Sequence, residues 1–463
     1  MIDFCVLLTL QIDRKLDGMT DRKHPTMKEK INLFWFRRDL RIEDNHGLFQ
    51  AFRAGKSVLP IFIFDTHIIG DLNDDDSRVE FITQEVDRLK QEFERFNSSF
   101  WIYQGKPINA FKRLWVEYDI EGVYTNEDYE PEARERDEQI RQFLNSSKVQ
   151  FYQFKDHQIF HKNDVLKADG KPYTVFTPYS KMWKKKLTEE DLKSFPSENH
   201  LNCLLKMQPL QPVKLRDLGF RRGSIARPEK KIDKSILKNY EVDRDFPARE
   251  GTSRLGIHLR FGTISIRKLV RKALKYSPVF LNELIWRNFY ADILYHFPHV
   301  EKRSFKPAYD HIPWINSEKE FVRWCSGTTG YPLVDAGMRQ LNETGYMHNR
   351  IRMVTASFLC KHLLIDWRWG EAYFAEKLLD YELASNNGGW QWAAGTGCDA
   401  APYFRVFNPT LQTQKFDPDL VYIRQWVPEF DELTYPHPMV DHKMARQRAI
   451  DTYKKALEEV GKR

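Results

Sequence analysis

The sequence predicts an α/β N-terminal domain on a parallel sheet, followed by an all-helical C-terminal domain. Three observations carry that prediction. Short apolar runs alternate with amphipathic stretches up to about residue 156, and strand-like alternation disappears from Ser253 onward. The 463 residues also exceed what one hydrophobic core normally organises. The implied division is 27–160 for the α/β domain, 161–246 for a connection and 247–463 for the helical domain. Met27 opens an ordinary beginning, so residues 1–26 are expected to be an extension or a start assigned too early.

Each strand is an apolar run bounded by turn-forming or charged residues: Ile31–Phe36, Val58–Asp65, Phe100–Gly105, Gly122–Glu127 and Val149–Asp156. Between the second and third, Val79, Ile82, Val86, Leu89 and Phe93 recur at three- and four-residue steps, one face of a helix. Strand–helix alternation implies a parallel sheet with helices on both faces, a Rossmann-like arrangement. Yet no GxGxxG follows the first strand and no GxxxxGK[ST] occurs, so no glycine phosphate loop serves this domain. Phe160 to about Phe246 is rich in proline and lysine and shows few clean periods.

Composition narrows the class. Charged residues form 30% of the chain and hydrophobic ones 41%, a globular balance. The net charge of +7 is modest, but seven basic residues against two acidic ones lie between Phe220 and Lys238. Such a run is more often a solvated linker than a nucleic-acid site. Five cysteines without a CxxC pair give neither a zinc site nor a disulfide framework, so no metal is expected and a reducing cytoplasm is. The Phe4–Leu10 stretch follows an aspartate rather than basic residues, which argues against a secretory signal, and no run approaches the ~18 apolar residues of a membrane span.

Four constellations carry chemistry. Glu283, Trp286, Arg287 and Tyr290 share one helix face at i, i+3, i+4 and i+7. A carboxylate, an indole and a guanidinium on one stripe suit a pocket that stacks a planar ligand, although a surface ion pair beside a buried Trp reads equally well. In His348-Asn349-Arg350-Ile351-Arg352-Met353, Asn349 and Met353 face together and the two arginines are expected to point aside. Asn386-Asn387-Gly388-Gly389 reads as a helix stop and turn that frees the Asn386 side chain. Thr252, Ser253 and Gly256 precede a helix and either bind phosphate through backbone N–H groups or cap it. Eight of twelve tryptophans follow residue 280, which by itself indicates core packing.

Together, in this order, these phrases resemble the photolyase/cryptochrome family from about Ile31 to Tyr453. The resemblance rests on FWFRRDLRIEDNHGL, EGTSRLGIHLRFGTIS, ELIWRNFY, GTTGYPLVDAGMRQL, GYMHNRIRM and NNGGWQWAAGTGCDAAPYFRVFNP. It implies FAD buried among the C-terminal helices, held by Tyr240, Thr252, Ser253, Arg254, Leu255, Gly256, Arg287, Arg352, Asp380, Tyr381 and Glu382, with Asn386 at the flavin N5 and Arg352 paired to Asp380. Two residues depart from the family pattern: Gly256 replaces a common serine, and Glu382 a usual aspartate.

The dimer-repairing branch matches at Glu283, Trp286, Asn349 and Met353, whereas the (6-4) branch places a second histidine beside the one equivalent to His348. The resemblance therefore implies light-driven repair of cyclobutane pyrimidine dimers in UV-damaged DNA. Excited reduced FAD would donate an electron to a flipped-out dimer, the ring would open, and the electron would return. Glu283 and Asn349 would hydrogen-bond the pyrimidines, and Trp286, Met353 and Trp392 would lie against the substrate. Arg244, Arg350, Arg405 and Lys415 would contact phosphates, and Trp390, Trp367 and Trp314 would relay electrons to oxidised flavin. A second, antenna chromophore is implied, with folate, deazaflavin and flavin all open. A monomer without an obligate protein partner is expected. The rival reading is a blue-light receptor that shares the FAD site; such proteins often carry long C-terminal tails, and the recognisable region here runs to near Arg463.

Overall fold

The computed structural model describes residues 29–461 except 224 and 232. The expectation for residues 1–26 falls outside them. Five strands, β1 (Lys30–Phe36), β2 (Ser57–Phe64), β3 (Trp101–Gln104), β4 (Asp119–Asn126) and β5 (Gln150–Phe154), form one parallel sheet in the order β3-β2-β1-β4-β5. All five expected runs are strands.

The apolar run of β1 is continuous because helices cover both faces of the sheet. Phe34 and Phe36 point to one side, where they meet α1 (His46–Arg53) and α2 (Ser77–Glu94). Ile31, Leu33 and Trp35 point to the other, against α3 (Pro107–Glu117) and α4 (Pro131–Ser146). The predicted face of α2 does this packing: Val79, Val86, Leu89 and Phe93 are buried, and Ile82 lies against the same cluster.

The connection is more ordered than its composition implies. α5 (Phe176–Lys186) forms where tertiary contacts favour it: Tyr179 and Trp183 are buried against α7 (Pro278–His296), and the Trp183 indole donates to Asn288 Oδ1 at 3.1 Å. α6 (Lys234–Asp243) follows, capped by the Asp233 side chain. The basic run between them is a clip. Arg221 pairs with Asp74 and Asp75, and Arg222 and Arg227 with Glu80, which ties the connection to α2 and its preceding loop.

Beyond Ser253 every named element is helical, as expected. The helices that matter below are α7, α8 (Asn349–Ser357), α9 (Trp367–Lys377), α10 (Leu383–Ala394), α11 (Pro409–Phe416) and α12 (His442–Gly461). Here the sequence reading needs correction. Asn386-Asn387-Gly388-Gly389 does not stop a helix but lies inside α10. The glycines serve close approach: a Cβ on Gly388 would run into the Tyr290 ring on α7, whereas one on Gly389 would meet nothing.

Candidate active site

A cavity of ≈ 410 Å³ opens between α7, α8, α9 and α10. That volume suits a large organic ligand. α7 contributes Glu283, Trp286, Arg287 and Tyr290, so the predicted helical face does converge on a pocket. α8 contributes Asn349 and Met353, whose side chains meet at 3.9 Å. Arg350 and Arg352 were expected to point aside, but both line the cavity. Guanidinium groups on long stems curl back from the first turn of α8, where the helix is least crowded.

The cavity floor is polar and deeply buried. Glu382 accepts from Arg287 Nη2 at 2.7 Å, Arg38 Nη2 at 2.6 Å and the Tyr129 hydroxyl at 2.8 Å, all on one oxygen. Its other oxygen accepts from Arg287 Nε at 3.0 Å and Ser385 Oγ at 3.2 Å. Burial works against this carboxylate, but Arg287, Arg38 and Arg260 outweigh it and hold its pKa down at about 2. The extra methylene of glutamate, relative to the family aspartate, goes with a carboxylate that grips residues following β1 and β4. Arg38 continues the network to Asp128 and Glu130, each at 3.0 Å. Beside it Arg352 donates to both oxygens of Asp380 at 3.0 Å, the pairing the resemblance implied.

Gly256 now has a reason: a Cβ there would collide with the Asp380 carboxyl group. Its short helix, Gly256–Arg260, has no side-chain cap. Ser253 Oγ instead accepts from the Leu255 N–H at 3.4 Å, and Thr252 Oγ1 lies 3.1 Å from the Tyr346 hydroxyl. Arg254 pairs with Glu250, Leu255 is buried, and Tyr240 packs edge-on to Phe280 beneath Arg244. These six residues lie beside the cavity rather than on its wall.

Asn386 lines the cavity, and its amide nitrogen is spent on Glu371, donating to Oε1 at 2.8 Å and to the backbone oxygen at 3.1 Å. Burial pushes the Glu371 carboxyl up to about 7. Tyr381, Trp390 and Trp392 complete the wall. Trp390 is packed edge-on against Phe374 and Trp324, with its indole N–H buried and without a partner. Trp367 is buried in the same core, and Trp314 packs on that core and edge-on against Tyr453.

At the mouth the charges are half-exposed. Arg244 pairs with Glu283, and Arg350 donates to Asp245 at 2.8 Å while lying 4.3 Å over the Phe416 ring. Burial raises the Glu283 carboxyl and Arg244 opposes that, with Asp245 adding to the rise. His348 caps α8 through Nδ1, and burial lowers its pKa to about 4, so it is neutral near pH 7. Arg405 and Lys415 stand outside the cavity, exposed, over the rings of Phe407 and Phe416.

Sequence reading missed five residues of this site. Arg38 and Tyr129 reach the floor from the other domain, and no local pattern announces a partner 344 positions away. Phe176 stacks face to face on Trp286 at 3.6 Å. Glu371 stands behind Asn386, and Asp245 holds Arg350. Only Asp245 had a local signal, the alternation Asp243-Arg244-Asp245 at the end of α6.

The residues present fit a flavin dinucleotide. The cavity is large and polar-floored, Gly389 leaves open space on its wall, and the Trp390 indole donor has no protein acceptor. Comparison with known proteins agrees. Residues 32–198 match the family profile described as DNA photolyase, and residues 280–434 the profile described as FAD binding domain of DNA photolyase. A Synechococcus sp. protein called deoxyribodipyrimidine photo-lyase is 36% identical over 461 residues, covering 90% of this chain and 95% of that one. The crystal structure of a class III photolyase from Agrobacterium tumefaciens superposes with a TM-score of 0.82 at 30% identity, covering 95% of this chain and all of that one. An archaeal photolyase from Sulfolobus tokodaii, solved with two FAD molecules, gives 0.76 at 32% identity, covering 92% and 99%.

Proposed function

The chain belongs to the DNA photolyase family and carries its FAD-binding domain, and from that premise we propose that it repairs cyclobutane pyrimidine dimers in UV-damaged DNA under blue light. One observation carries this reading. Glu283, Trp286, Asn349 and Met353 meet at a single cavity that Arg352, Asp380 and Asn386 also line. A flat substrate bound by the first four would therefore share one cavity with the cofactor that the other three would hold.

The cofactor, when bound and reduced, supplies on excitation the electron that opens the cyclobutane ring. The protein does the rest. Arg352, Asp380 and Asn386 would hold the cofactor, together with Glu382 and Arg287, which line the same cavity. The dimer must leave the helix stack, at a cost of a few kcal/mol that is smallest at a lesion. Trp286, backed by Phe176, and Met353 pack against it, a contribution of about 1–3 kcal/mol per base. Glu283 and Asn349 hydrogen-bond the pyrimidine edges, where negative charge develops. Burial raises the Glu283 carboxyl toward the neutral form that can donate, and this requires Arg244 to let go. Arg244, Arg350, Arg405 and Lys415 contact phosphates. About four such contacts give log K a slope against log salt of roughly −3 to −4.

Trp390, Trp367 and Trp314 would serve as a relay supplying electrons to the flavin site. Supporting this, Trp390 lines the cavity and all three share one core. We place a second chromophore on the α/β domain, and assign the protein to the cytoplasm as a monomer; among the described residues no helix is long and apolar enough to cross a membrane.

The deciding measurement is loss of thymine dimers from a defined oligonucleotide, with flavin-loaded reduced protein, in blue light and in the dark. Light-dependent return of intact thymines is expected. No return from such a sample would overturn repair and leave the blue-light receptor as the better reading.

A further inference from the structure

Resting on the repair reading, we propose that Asp245 and Glu283 are internal competitors for the two arginines at the pocket mouth, and that this competition makes the protein hold intact DNA weakly and a flipped lesion firmly. Four positively charged side chains surround the entrance, in two classes. Arg405 and Lys415 are exposed and lie over aromatic rings, ready for any phosphate. Arg244 and Arg350 are already paired, with Glu283 and with Asp245 respectively. A DNA phosphate can take either guanidinium only by displacing a carboxylate.

The two displacements differ in what they leave behind. Asp245 borders the cavity with its side chain 37% exposed, so once displaced it turns to water. Phe416 under Arg350 keeps that guanidinium in position during the exchange. Asp245 therefore weakens binding to every sequence alike, by occupying one phosphate ligand and by repelling the backbone. Glu283 lines the same cavity, with its side chain 33% exposed, and differs in its neighbours, Trp286 and Asn349. When Arg244 leaves for a phosphate, the bound DNA covers the mouth and takes away the water the Glu283 carboxylate would otherwise turn to, so it needs a new partner. An intact duplex, with its bases stacked, offers none. A flipped pyrimidine offers a ring N–H that donates to the carboxylate, and a carbonyl that accepts from the acid form. Glu283 thus ties release of a phosphate-binding arginine to the presence of a lesion in the pocket.

The test is fluorescence anisotropy, in the dark, of labelled duplexes with and without one thymine dimer across a salt series, using FAD-loaded wild type, D245N and E283Q. Flavin absorbance and thermal unfolding verify that each variant is folded. D245N is expected to tighten binding to both duplexes, by about fivefold, and to steepen the salt slope by about 0.9. E283Q is expected to tighten binding to the intact duplex by a similar factor but not to the dimer, so that the preference shrinks. If wild type shows no preference for the dimer, the repair reading falls and the competition with it. If wild type prefers the dimer but neither variant gains affinity for intact DNA, the competition alone is overturned.

Discussion

The floor and the mouth of the cavity use the same chemistry, carboxylates paired with arginines, at very different burial. Glu382 and its partners Arg38 and Arg287 have side chains 6–10% exposed, whereas Glu283, Arg244, Asp245 and Arg350 range from 18 to 37%. At the floor one carboxylate satisfies two guanidiniums and a phenol and none of them has water to turn to. At the mouth each carboxylate has one arginine and solvent as an alternative. Burial therefore decides the role: the floor pairs are structural, and the mouth pairs are exchangeable.

Truncating a carboxylate should separate the two sites most. E382A leaves Arg287 without its paired carboxylate and takes from Arg38 one of three, and losing a buried partner costs about 3–5 kcal/mol. E283A, at the half-exposed pair, should cost less than about 1 kcal/mol of stability. Thermal unfolding of both variants checks this; equal shifts would erase the distinction.

Acid should act on the same side of the comparison. Glu382 titrates near 2 in the folded protein against 4.5 ordinarily, so its stabilisation is complete above pH 4.5 and is lost as pH falls from 4.5 to 2. His157, beside the floor, is lowered to about 3, chiefly by burial with Arg38 adding to it. The unfolded chain protonates this histidine below about pH 6.5 and the folded one does not. Denaturant unfolding should therefore show stability declining from about pH 6.5 downward, and E382Q should flatten the part below 4.5. An unchanged slope in E382Q would remove Glu382 from the account.

A milder change probes the cavity wall between floor and mouth. Restoring the family serine as G256S drives a Cβ into Asp380, an overpacking of about 1–3 kcal/mol. Because Asp380 holds Arg352, flavin affinity should fall along with stability, as a flavin-release titration would show. Unchanged flavin retention would mean that Asp380 shifts freely.

How much of this was legible depends on the range over which each signal acts. The strands were legible because helices on both faces make a parallel strand a continuous apolar run, and the face of α7 because helical spacing is local. The strand order and the floor were not: Arg38 and Glu382 meet only once two domains have packed. Asn386-Asn387-Gly388-Gly389 misled for an instructive reason. Glycine is read locally as a turn, yet Gly388 sits in mid-helix because a Tyr290 ring presses on it.

The order β3-β2-β1-β4-β5 sets β1 and β4 side by side at the centre, where open sheets of this kind commonly leave a crevice for ligands. Here the loops that follow those two strands send Arg38 and Tyr129 into the opposite domain. The two halves are therefore not portable modules. A helical half expressed or inherited without its sheet would keep Glu382 and Arg287 but lose the guanidinium and phenol that complete the floor.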